Sequence, residues 1–102
     1  MSRYRVVLEG TGFQISLEDR LLQVGFYVTR VVEADDHLSA ERQAIASVQE
    51  KLRAYVIPKE PDASRIVVDS VVMIPPDDKE SKSTGFAWYP TNEEDAAGFL
   101  AD

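Results

Sequence analysis

The sequence predicts one α+β domain over residues 1–102: a mostly antiparallel four-stranded sheet in the order ββαββ, with one long helix on one face and a short C-terminal helix. Two observations support this class. Alternating apolar residues, typical of strands, fill much of residues 3–34 and 65–89. In residues 38–56 the apolar residues recur at helical spacing instead. With 102 residues, 44% of them hydrophobic, the chain can bury one core but not two.

The first third of the chain has the period of β-strands. Tyr4, Val6 and Leu8 alternate with more polar residues, which predicts a strand with one buried face. Glycines then interrupt the pattern, and a later run rich in β-branched and aromatic residues restores it. We expect strands over residues 3–9, 13–17 and 24–34, with a break at 10–12 and a turn at 18–20.

The period changes from two to about 3.6 residues at Asp35. Apolar residues recur on one side of the following segment and charged residues fill the other sides, which predicts an amphipathic helix over residues 38–56. Asp36 or Ser39 is expected to cap its N-terminus. Pro58 is expected to stop it.

The last third returns to strand composition. Pro75 and Pro76 end a β-branched run, and the polar sequence DDKESKS that follows is expected to form a solvated, mobile hairpin loop. Thr91 and Glu94 stand at capping-box spacing. We expect strands over residues 65–74 and 85–89, the loop over 77–83 and a terminal helix over 92–100.

A single helix covers only one face of this predicted sheet. By alternation, the other face would carry more apolar side chains than a monomer usually leaves exposed. We therefore expect self-association, a two-fold dimer first, or a protein partner at this face. The alternative is that the terminal helix or residues 57–64 cover it. The predicted interface residues are Val7, Tyr27, Val31, Val67, Val71 and Met73.

The junction between the central strand and the helix is the second candidate site. Its carboxylates and imidazole could bind a small molecule or a metal ion beside the aromatic segment 86–89. The alternative is structural: Asp36 as a cap, His37 as a spectator and Arg30 paired with Glu41, Asp35 or the C-terminal acidic group. The predicted ligand-binding residues are Arg30, Asp35, Asp36, His37, Trp88 and Tyr89.

Composition disfavours several classes of function. The absence of Cys removes thiol chemistry and indicates no oxidising compartment, and no apolar run suggests a signal peptide or a membrane span. A net charge of -7 disfavours nucleic acids, although Tyr4, Trp88 and the N-terminal arginines could form a single-strand platform. No catalytic motif, resident metal or cofactor is predicted. We expect a cytoplasmic protein that is not an enzyme.

Two segments carry a resemblance to known proteins. GFYVTRVVEADDHLSAERQAIASVQEKL, which joins a strand to a capped helix, and the later GFAWYP are similar to segments of small uncharacterised bacterial α+β proteins. The strand, strand, helix, strand layout also resembles small antitoxin-type domains that bind a partner protein. The resemblance implies an α+β fold, and it implies no catalytic residue.

Overall fold

The computed structural model describes residues 1–56 and 64–91. They form an α+β domain with one four-stranded antiparallel sheet in the spatial order β3-β1-β2-β4. At this level the predicted class is confirmed. The terminal helix predicted over 92–100 lies outside the described residues. The elements are β1 (Ser2–Leu17), β2 (Arg20–Ala34), α1 (His37–Leu52), β3 (Arg65–Met73) and β4 (Ala87–Pro90).

β1 and β2 form a long hairpin closed by the predicted turn. Leu17 lies opposite Arg20, and the two residues between them, Glu18 and Asp19, have φ angles of 51° and 64°. Positive φ at both central residues is the type I′ geometry, whose twist matches that of paired strands. The turn therefore fixes the register of the central hairpin.

The break predicted at residues 10–12 is wrong, because β1 runs through it. The β1–β2 register shifts between Gly10 and Phe13, and Gly12 adopts a φ of 75° within this bulge. A Cβ added to Gly10 would overlap the ring of Phe26. The glycines thus bend one continuous strand and give the aromatic ring space over bare backbone.

α1 is shorter than the helix predicted over residues 38–56. Asp36 caps it as expected, since the backbone N–H of Ser39 donates a 2.7 Å hydrogen bond to its Oδ1. The helix ends at Leu52, whose carbonyl accepts hydrogen bonds from Tyr55 and Val56. Val56 then forms a β-bridge with Ile15, so the chain leaves the helical path to join the sheet.

The core lies between α1 and one face of the sheet. The helix contributes small side chains to it, Ala40 and Ala44, so that the backbone can approach the strands closely. Phe26 lies at the centre, in contact with the rings of Phe13, Phe86 and Trp88. The buried apolar sheet residues are Tyr4, Val6, Leu8, Phe13, Leu22, Val24, Phe26, Val28 and Ala34.

β3 contains an irregularity that the alternation of its sequence does not show. Val7 pairs with Ser70 but Leu8 pairs with Val68, so Asp69 is an inserted residue. The insertion reverses which side chains point toward α1. Val71, opposite buried Val6, packs against the core, and Met73 lies opposite buried Tyr4. Both were predicted on the face away from the helix, and that placement is wrong.

Residues 74–86 do not form the predicted hairpin loop, because β3 and β4 lie at opposite edges of the sheet. This segment, the crossing loop, connects the two edges. Arg3, on the face away from α1, donates hydrogen bonds of 2.8 and 3.1 Å to the carbonyls of Asp78 and Ser81. Thr84 then hydrogen-bonds Thr29 through its backbone N–H and its hydroxyl. The crossing loop is therefore anchored to both central strands.

Candidate functional site

Arg30 is the one buried charged residue in the described part of the chain, with 8% of its surface exposed. Its place on β2 points it toward α1, as alternation predicted. Nε donates to Ser47 Oγ at 3.2 Å, and Nη1 donates to the carbonyls of Thr29 and Thr84 at 3.2 and 2.6 Å. These acceptors are all neutral. Within residues 1–56 and 64–91 the guanidinium has no carboxylate partner, so pairing with Glu41 or Asp35 is wrong. The third predicted partner, the C-terminal acidic group, lies outside the described residues.

Burying the Arg30 guanidinium costs solvation free energy, and its hydrogen bonds to neutral oxygens offset only part of that cost. Desolvation lowers the pKa of Arg30, although an arginine side chain stays protonated at physiological pH. The guanidinium also lies 5.7 Å from the centre of the Phe86 ring, in cation–π contact. Arg30 is thus a charged hydrogen-bond donor that its neutral acceptors hold in place. No described residue neutralises its positive charge.

An aromatic wall stands beside Arg30. β4 pairs with β2 so that Trp88 lies opposite Phe26 and faces α1, and Phe86 stacks on Trp88 with ring centres 5.2 Å apart. Tyr55, just beyond the helix, meets both rings edge-on at 6.0 and 6.1 Å. Three rings from two parts of the chain therefore form one surface.

Arg30 and these rings line a cavity of about 550 Å³ between α1, β4 and the end of the crossing loop. Its polar lining comes from Ser47, Lys51, Ser83 and Thr84. The volume lies within the range of small-molecule sites. Ser47 and Lys51 were not among the predicted ligand-binding residues, although their spacing of four residues places them on one side of the helix.

The other residues of the predicted junction site do not line this cavity. Asp36 is used as the helix cap, and its hydrogen bonds with Ser39 hold its pKa below the ordinary value. His37 packs edge-on against the ring of Tyr4 at 4.9 Å, and Asp35 is exposed. In the described ranges, no group of three or more acidic or histidine side chains could hold a metal ion. Only Arg30 and Trp88 of the predicted ligand set come together.

Tyr89 belongs to the opposite face of the sheet. Its hydroxyl donates a 2.6 Å hydrogen bond to Oε2 of Glu9, which is the first cause of a pKa raised to about 12. Hydrogen bonding to the same carboxylate also raises the pKa of Tyr27, whose ring centre lies 5.5 Å from that of Tyr89. Tyr4 is buried and Trp88 faces the helix, so the predicted nucleic-acid platform does not form.

The far face, defined as the sheet face away from α1, keeps large apolar side chains in contact with solvent. Exposed fractions are 46% for Tyr27, 52% for Val67 and 43% for Val72. Because of the β3 bulge, Val72 points to the far face and Val71 and Met73 do not. Val7 and Val31 lie half-buried on the same face. The crossing loop bonds to Arg3 at one end of the far face and lines a concavity with Arg5 and Thr29. Arg5, Tyr27, Val67 and Val72 remain exposed.

Fold and sites together define a small α+β domain with an arginine-containing aromatic cavity on one side of its sheet and an apolar face on the other. Comparisons with protein-family models, with curated proteins and with solved structures found no match. Within the described residues, no helix has both the length and the apolar character needed to cross a membrane.

Proposed function

We propose that this protein is not an enzyme and acts through self-association, as a two-fold dimer whose subunits pack far face to far face. The observation that carries the proposal is the arrangement of side chains in three rows across β2, β1 and β3. The first row is Tyr27, Glu9 and Val67; the second is Thr29, Val7 and Ser70; the third is Val31, Arg5 and Val72.

This arrangement is complementary to its own copy. A two-fold axis lying in the interface, perpendicular to the strands and level with Val7, sets the first row against the third row of the partner. Glu9 then meets Arg5 of the second copy, and the apolar ends of each row meet apolar ends. The middle row, with its short side chains, meets itself. Opposite charges and apolar side chains are thus matched between the first and third rows, and in the middle row the polar Thr29 and Ser70 each meet their own copy.

The exposed apolar surface supplies the driving force for this contact. Three large apolar side chains, each about half exposed, flank β1 on its two neighbours, Tyr27 on β2 and Val67 and Val72 on β3, whereas scattered exposed residues would need no explanation. Packing two sheet faces together would bury these side chains at about 10 Å separation. A second copy covers all three at once.

The size of the patch sets the expected strength of the dimer. Stable interfaces use roughly 20 to 30 residues on each side, and the three rows supply nine residues. The dimer is therefore expected to be weak, with dissociation in the micromolar range, and to exchange readily with monomer.

The cytoplasmic location predicted from the sequence stays a prediction.

Sedimentation velocity over a range of concentrations tests the proposal. We expect a monomer at low micromolar concentration that shifts toward a dimer as concentration rises. Val67→Asp should abolish the shift, because it places an unpaired charge inside the interface. Leu38→Asp is the matched control, since Leu38 is a similarly exposed apolar residue on α1, and it should leave the dimer intact.

Three outcomes would contradict the proposal. One is a protein that stays monomeric at high micromolar concentration. Another is a dimer that Val67→Asp leaves intact while Leu38→Asp disrupts it. The third is saturable binding of a different protein to the far face of a strict monomer, which would assign this surface to a heterologous partner.

A further inference from the structure

The Arg30 cavity lies on the opposite side of the sheet from the far face, and it has features that a purely structural role does not require. A buried guanidinium is normally paired with a carboxylate, because an unpaired charge is costly to remove from water. Arg30 instead uses Nε and Nη1 to hold neutral oxygens of Ser47, Thr29 and Thr84. Within the described residues its second terminal nitrogen, Nη2, has no acceptor.

A second positive charge lines the same cavity. Lys51 lies one helical turn after Ser47 on α1, so both side chains stand on the side of the helix that borders the cavity. Ser83 and Thr84 add hydroxyl groups at the other rim. The polar part of the lining therefore offers two cations and neutral hydroxyls, and it includes no carboxylate.

The apolar part of the lining is aromatic. Phe86 and Trp88 stack with their planes 30° apart, and Tyr55 meets them edge-on. Such a surface favours a flat ring, because stacked and edge-on aromatic pairs attract one another beyond what the area that they bury contributes. A ligand that fills the cavity thus combines a planar ring with a negative charge.

We infer that this cavity binds a small planar aromatic carboxylate, with the carboxylate on Arg30 and Lys51 and the ring against Trp88. The net charge of the anion follows from the site. Two cations in a protein of net charge -7 suffice for an anion of one or two charges, such as a carboxylate, but not for the several charges of a nucleotide phosphate chain. A volume of about 550 Å³ also suits one or two fused rings.

Trp88 makes the inference directly testable, since it is the only tryptophan in the chain. Titration with 4-nitrobenzoate should quench its fluorescence saturably, because the nitro-aromatic ring would stack against the indole. 4-Nitrobenzamide has the same ring without the charge and should bind about ten-fold more weakly, as loss of a charge-assisted hydrogen bond predicts. Cyclohexanecarboxylate and inorganic phosphate should compete poorly.

Two variants separate binding from folding. Arg30→Gln should abolish saturable quenching, and circular dichroism checks that the variant is folded. Lys51→Gln changes an exposed side chain, so it should weaken the binding of 4-nitrobenzoate several-fold without loss of thermal stability. Lys79→Gln is the matched control, because Lys79 is an exposed lysine in the crossing loop that does not line the cavity. It should bind like the unmodified protein.

Several results would overturn the inference. The first is no saturable quenching at millimolar 4-nitrobenzoate. The second is equal binding of the amide, and the third is equal effects of Lys51→Gln and Lys79→Gln. Preferential binding of phosphate would reassign the site to another anion. None of these results bears on the dimer, which uses the other side of the sheet.

Discussion

Tyr89 at one edge of the sheet donates a 2.6 Å hydrogen bond to Glu9 two strands away. The pKa of Tyr89 is raised from 10.0 to about 12, first by this hydrogen bond and then by burial. A raised pKa in the folded state means that the stabilisation is complete below pH 10.0 and is lost as the pH rises toward about 12. The folded protein should therefore weaken steeply in that window.

Tyr89→Phe tests this dependence. The variant should be less stable than the unmodified protein at pH 8, and its stability should fall less between pH 10 and pH 12, because one group with a raised pKa is gone. Urea denaturation at a series of pH values measures both effects. Tyr55→Phe is the control and should keep the steep fall. An unchanged alkaline slope in Tyr89→Phe would contradict the role of the Glu9 contact.

The pKa of Asp36 is shifted in the opposite direction to that of Tyr89, so its effect on stability is expected at acid pH. Its pKa is lowered by the hydrogen bonds with Ser39, so its contribution to stability is present above its ordinary value of 3.8 and is lost as the pH falls below it. Asp36→Asn should keep the helix cap but lose this acid dependence, whereas Asp36→Ala should lower the melting temperature at neutral pH. Asp35→Asn is the neighbouring control. Equal melting temperatures for Asp36→Ala and Asp35→Asn would rule out the cap.

Gly10 should not tolerate a side chain. A Cβ there would overlap the Phe26 ring, which is fixed among other rings of the core. Gly10→Ala is expected to cost about 1–3 kcal/mol, the range for overpacked cores. Gly85→Ala is the matched control, because nothing lies within 4 Å of the added atom, and it should be nearly neutral. Chemical denaturation compares the two, and a neutral Gly10→Ala would contradict the packing described for Phe26.

The Arg3 side chain should hold the crossing loop in place, and its loss should leave the rest of the domain folded. Its two hydrogen bonds to the carbonyls of Asp78 and Ser81 are charge-assisted, so Arg3→Ala should speed local amide exchange about ten-fold or more. The Asp78 carboxylate still accepts from the backbone of Glu80 and Ser81. Hydrogen exchange resolved by residue measures the effect over residues 78–84. Arg42→Ala, on the exposed side of α1, should leave those rates unchanged.

The sequence predicted strand faces well where the backbone is regular. Alternation placed Tyr4, Val6, Phe26 and Val28 toward the helix, and all four are buried. It failed in β3, because Asp69 adds one residue with no glycine or proline to signal a bulge. A one-residue insertion moves every later side chain to the other face. Val71 and Met73 were therefore assigned to the wrong side.

Longer-range features were harder to predict, since they depend on strand order. The polar segment 77–83 has the composition of a hairpin loop, and only the placement of β3 and β4 at opposite edges makes it a crossing loop. Likewise, alternation predicted that Arg30 faces the helix, but its neutral partners come from α1 and the crossing loop. The aromatic wall needed Tyr55 and β4 to meet in space.

The central claim is that the far face of one copy packs on the far face of another with Arg5 against Glu9. Arg5→Glu and Glu9→Arg should each weaken the dimer about ten-fold or more, since each replaces two symmetric attractions with repulsions. A mixture of the two variants restores both charge pairs in the heterodimer. Sedimentation of the mixture should therefore recover the dimer that neither variant forms alone, with both variants folded by circular dichroism. A mixture that stays monomeric while the unmodified protein dimerises would contradict the proposed packing.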